Sequence, residues 1–307
     1  MEQKFVVHNP DNDQSLHVFY IDYDLDDDGG VSQMEESFYD QLFNDIPNFA
    51  FGENQVNKRF KSPSDMVPII REAMKKIYTI PEIAEARKYY FEDEDIEDKY
   101  IKRGEFGELV LYHLLHKYFG AKALISKIYF KDSLNSAAHG FDAVHVDTEG
   151  KSLWIGESKL YQNGSKAITE LVKDLTSHFR TDFFNSEFTI ISNRVQDDNG
   201  EVDDFIKKLI DPNTRCLDKL ANIKIALFAG FTSDCIINQC GKAQMPDQVF
   251  LDDLKREAQK LINKLNKGKE NHAWNSELDV YLFLFPLKDK KEFVKSLHLK
   301  LKGVQLI

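Results

Sequence analysis

The chain has 307 residues, 42% hydrophobic and 30% charged, a balance that excludes a disordered polymer and suits one large or two modest domains. Its longest apolar stretches, near 225–231 and 281–287, fall far short of the roughly 20 residues needed to span a bilayer, and its polar, acidic beginning does not read as a signal peptide, so no membrane partner is expected. The net charge is −11, yet residues 1–57 hold 13 acidic side chains and one basic one, which leaves the rest near neutral and able to carry a local basic groove for a polyanion.

In chain order, residues 4–7 and 16–22 read as strands and 35–43 as a helix. Residues 63–77 and 80–91 read as two more helices, each starting near a proline. The acidic run at 92–98 is a plausible junction. It sets the expected division into an acidic N-terminal α+β module for regulation or docking, residues 1–95, and a main domain, residues 96–307. Beyond it come a helix at 104–119, strands at 123–130, 140–146 and 152–158 with a turn at 147–150, a helix at 166–184 and a strand at 188–192. Then follow a helix at 202–210, a strand at 223–231, a helix at 250–265, a strand at 278–285 and a helix at 290–301. Strands alternating with helices give an α/β class with a mixed central sheet flanked by helices. Cys216, Cys235 and Cys240 form no C-x-x-C pair, and reduced thiols in a cytoplasm are expected.

Two groups of residues carry metal chemistry. The first is the segment from Asp24 to Glu35, which has the spacing of an EF-hand calcium loop. Asp24, Asp26, Asp28, the Gly30 carbonyl, Ser32 through water and Glu35 would be the ligands, with Gly29 at the sharp turn. The preceding alternation reads as a strand, whereas an EF-hand needs an entering helix, so an acidic solvated turn is the competing reading. A calcium-regulated interaction protein is the functional alternative that this segment keeps open.

The second group lies on the paired strands. Asp142 sits on the strand at 140–146, and Glu157 and Lys159 sit two apart on the next strand and so share a face. Two carboxylates at one point are costly unless a cation neutralises them. Mg²⁺ (or Mn²⁺) takes one or two carboxylates plus water and phosphate oxygens, and Lys159 would hold the attacking water. The pattern therefore suits hydrolysis of DNA phosphodiesters. Glu105 and Glu108 share a face of the preceding helix, Glu108 being the better candidate for a further contact with metal or water. His113, His116, His139 and His145 are weaker metal candidates, lacking the clustering that zinc requires. Lysines and arginines in 166–180 and 288–302 are candidate phosphate contacts. A catalytically inactive module that binds nucleic acid or protein on the same fold is the other alternative.

The segments GEFGELVLYHLL (104–115), HGFDAVHV (139–146) and LWIGESKLY (153–161) together resemble the HamA family, nuclease subunits of the Hachiman antiphage defence system within the wider PD-(D/E)xK superfamily. The resemblance covers about residues 103–184. It implies a restriction-endonuclease-like core in which the signature Asp, Glu and Lys fall on Asp142, Glu157 and Lys159, and the helix glutamate on Glu108. Phe141 stands where the signature often has proline. The resemblance further implies a superfamily 2 helicase partner of the HamB type, which restrains the nuclease until abnormal DNA is sensed.

Overall fold

The computed structural model describes residues 5–79, 105–126, 140–147, 151–197 and 202–305. Strands β1 (Phe5–His8) and β2 (Leu16–Ile21) precede a small hairpin, β3 (Tyr23–Leu25) and β4 (Val31–Gln33). Helices α1 (Glu35–Phe51), α2 (Glu53–Arg59) and α3 (Met66–Thr79) follow. Then come α4 (Glu105–Phe119), β5 (Lys122–Ser126), β6 (Ala143–Asp147), β7 (Ser152–Tyr161), α5 (Gly164–His178) and α6 (Thr181–Asp197). The remainder is α7 (Asp204–Ile210), α8 (Cys216–Leu220), β8 (Ile223–Thr232), α9 (Asp234–Lys242), α10 (Gln248–Lys269), β9 (Asp279–Leu287) and α11 (Lys290–Gln305).

Seven strands form one mixed sheet in the order β1-β2-β9-β8-β7-β6-β5. Its centre, β2-β9-β8-β7, is parallel, and β1, β6 and β5 add antiparallel edges. Strands buried on both faces read as nearly continuous apolar runs, and β8 is of this kind, with every residue from Ile225 to Phe231 buried. On one face, Trp154, Leu160, Phe228 and Phe283 pack against α1, α3, α4 and α11. On the other, Leu153, Ile155, Leu227 and Leu282 pack against α5, α6, α7 and α10. The protein is therefore α/β, as expected. Among the described residues, no helix is long and apolar enough to cross a membrane.

The expected strand at 188–192 is instead the middle of α6. Its short apolar run suits either element, but burial falls on Phe184, Phe188 and Ile191 while Thr189 and Ile190 are exposed, a helical period. The expected single helix at 166–184 is two, broken after His178. The strand that completes the core is β8, which lies parallel to β7 along its whole length. The hairpin, α2, α8 and α9 had not been expected.

The helix expected at 80–91, the acidic junction at 92–98 and hence the expected division near residue 95 lie outside the described residues. What is described on either side shares one sheet: β2 pairs with β9 through Leu16–Leu282, His17–Phe283 and Val18–Leu284.

Candidate active site

Strands β6 and β7 run antiparallel, with Ala143 opposite Gly156. One step before that ladder, the Asp142 N–H donates to the Gly156 carbonyl at 2.9 Å and the Asp142 carboxylate accepts from the Ser158 N–H, which sets Asp142 beside Glu157, the residue between those two. Gly156 permits this close packing, since a Cβ there would lie 2.7 Å from Leu111 Cδ2 and 3.1 Å from Ala143 Cβ.

Both carboxylates are buried, Asp142 at 5% exposure and Glu157 at 2%. Asp142 Oδ2 accepts from the Ser158 N–H (2.8 Å) and the Ser158 hydroxyl (3.2 Å). Burial, reinforced by the Asp142 charge, pushes the Glu157 carboxyl up to about 7 in spite of the His178 contact. Lys159, one alternation along the same face, is held above the ordinary lysine value. Burial opposes that shift, but the negative charges of Asp142, Asp174 and Glu157 outweigh it.

Helix α5 completes the cluster with two residues that sequence reasoning missed. Asp174 forms an ion pair with Lys159. His178 Nδ1 shares a hydrogen bond with Glu157 Oε1 at 2.5 Å. The His178 ring stacks on Phe183 at 4.4 Å with an interplanar angle of 5°, and its other neighbour, Phe141, meets it edge-on at 5.8 Å. The residue in the place of the signature proline thus packs against the imidazole that holds Glu157. The helix begins at an N-cap, where Asn163 Oδ1 accepts from the Lys166 N–H. A spacing of four on the helix after the strand was the available signal for Asp174 and His178, but it looks like any solvated helix face.

The structure therefore brings Asp142, Glu157 and Lys159 together. Glu108 is buried on α4, next to Gly107, which packs on the Ser158 hydroxyl that donates to Asp142. Glu105 is the first residue of α4. His113 is buried, and its Nδ1 lies 2.5 Å from Asp45 Oδ2 on α1. His145 is fully buried beside Tyr112, and desolvation lowers its pKa to about 3, so it stays neutral. His139 lies outside the described residues.

The calcium-like segment folds as the β3–β4 hairpin, entered from a strand. Asp26 Oδ1 accepts from the Gly30 and Asp28 N–H groups (2.7 and 3.2 Å), and the Gly30 carbonyl accepts from the Asp26 N–H. Gly29, at φ +79°, makes the turn that glycine allows. Asp24 pairs across the hairpin with Ser32, and Glu35 opens α1. Among the described residues, no group of three His, Cys, Asp or Glu side chains converges as a complete metal cage.

The fold and this cluster define an α/β protein with two adjacent buried carboxylates and a lysine at one end of paired strands. The model of the HamA family matches residues 1–301, and the chain belongs to that family. Membership fits a role in Hachiman antiphage defence. No curated protein matches the chain.

Proposed function

We propose that the protein is a metal-dependent DNA nuclease of the PD-(D/E)xK type, the effector of a Hachiman system. The observation that carries this reading is the buried Asp142 beside Glu157, with Lys159 close enough to feel both charges. The residues fit a divalent cation. Burial first, and then the charge of Asp142, raise the proton affinity of Glu157, a cost that a cation relieves, and magnesium asks the protein for only one or two carboxylates.

Asp142 and Glu157 would hold Mg²⁺, with Mn²⁺ able to replace it, and Glu108 is the reserve candidate. When bound, the ion supplies an acidified water and stabilises charge on phosphorus. Lys159 offsets the charge of the scissile phosphate and holds the attacking water through its ammonium. Water adds to phosphorus, one P–O ester bond breaks, and the leaving oxygen takes a proton. Restraint by a superfamily 2 helicase subunit rests on the family and not on the geometry.

The test is cleavage of double-stranded and single-stranded DNA by the full chain in Mg²⁺, with and without chelator. Glu157→Gln should abolish cleavage while preserving the fold by circular dichroism. Cleavage that survives Glu157→Gln, or that ignores chelator, would overturn the assignment, and a parent protein that cleaves neither DNA would favour an inactive binding module.

A further inference from the structure

We propose that Asp174 and His178 are positioning residues for this reaction, one face of α5 aiming Lys159 through Asp174 and Glu157 through His178. The inference rests on the nuclease reading above.

The two contacts form a matched ladder. Glu157 and Lys159 are two apart on a strand, a step of roughly 6.6 Å. Asp174 and His178 are four apart on a helix, a step of roughly 6 Å. Because α5 turns back against the strand it follows, the later strand residue meets the earlier helix residue: Lys159 with Asp174, Glu157 with His178. The periods of strand and helix thus bring both pairs into register at once.

Packing alone does not account for the pair. Leu171 and Leu175 supply the buried apolar face of α5. Asp174 and Lys159 sit at the rim, each side chain 23% exposed. A lysine ammonium on its flexible stem would otherwise turn to the carboxylates that draw it, Asp142 and Glu157, and compete with a cation for them. Asp174 draws the ammonium aside. His178 fixes the Glu157 carboxylate, and its own ring is fixed by Phe183 and Phe141. Hydrogen bonds behind a ligand of this kind typically tune metal affinity or activity by 10–100-fold.

The roles differ, so the tests separate them. Mn²⁺ affinity of the full chain is measured by isothermal titration calorimetry without DNA, and cleavage is then followed at saturating Mn²⁺. His178→Ala should weaken Mn²⁺ binding by about 10–100-fold, and His178→Asn, which retains an N–H donor, should recover part of it. Asp174→Ala should leave Mn²⁺ affinity within about twofold yet lower kcat by about tenfold or more, with the KM for DNA little changed; Asp174→Asn should behave likewise. The proposal falls if His178→Ala leaves Mn²⁺ affinity intact and Asp174→Ala leaves kcat intact. It also falls if all four variants lose affinity and rate together in proportion to their thermal stability. A parent protein that takes up no Mn²⁺ sinks the nuclease reading as well, whereas normal uptake with unresponsive variants sinks this inference alone.

Discussion

The molecule has two clusters of carboxylates, and they are built in opposite ways. The hairpin from Asp24 to Glu35 has the richer ligand spacing, but its Asp26 carboxylate and its Gly30 carbonyl are engaged with the backbone of their own turn. The pair at the open end of the β6–β7 ladder has only two carboxylates, but they are buried, close enough to repel and accompanied by a lysine. An exposed aspartate can satisfy itself with nearby amides. Two buried carboxylates close to each other cannot both stay ionised without help. Burial and mutual repulsion, rather than ligand count, set the second cluster apart from a turn.

Lys159→Ala should break the buried cluster most severely. Loss of a charge-stabilising donor at a reacting centre lowers rates by about 10²–10³, so cleavage should fall by that order, while Asp24→Asn combined with Asp28→Asn should leave it unchanged. Equal losses in the two proteins would erase the distinction. Gly156→Ala comes next. A methyl there meets Leu111 and Ala143, and overpacking of this kind costs about 1–3 kcal/mol, readable as a lowered denaturation midpoint. An unchanged midpoint would mean that β7 has more room than its neighbours indicate.

A pH series separates the site from its scaffold. His145 binds its proton less readily when folded than when unfolded, at about 3 against 6.5. Between those values the unfolded state holds the extra proton. The contribution of His145 is therefore complete above pH 6.5 and declines by about 1.4 kcal/mol per unit as pH falls below it. His145→Leu should flatten this slope between pH 6.5 and 5, and a slope that persists would assign it elsewhere. The smallest effect is expected in the hairpin. Asp26→Ala removes two hydrogen bonds to backbone amides and should cost about 1 kcal/mol, seen as faster hydrogen exchange at Gly30 without change in cleavage.

Much of the core was legible because its signals are local. The strand bearing Glu157 and Lys159 is largely apolar and carries no other charge, and charge inside such a strand demands a reason. The residues behind them were not legible, because Asp174 and His178 sit on an amphipathic helix where polar side chains are ordinary. The run at 188–192 shows the ambiguity of short apolar stretches, which only the spacing of burial resolves. The EF-hand spacing of Asp24 to Glu35 was equally compatible with a hairpin, since aspartate and glycine serve both loops and turns. The pairing of β2 with β9 left no local trace at all, because parallel strands distant in sequence meet through packing that neither one encodes alone.

That pairing also sets a clock. During synthesis, β2 emerges early and can hairpin with β1, but its parallel neighbour arrives only with residues 279–287. At ribosomal speeds the wait is roughly 15–50 s, and the loop to be closed is nearly the whole polypeptide, the kind of contact that slows folding. Until then the inner edge of β2 offers unsatisfied backbone groups to any strand it meets. The cell thus receives the finished sheet late, and a nascent chain halted before β9 would carry Asp142, Glu157 and Lys159 on a sheet still open at its centre.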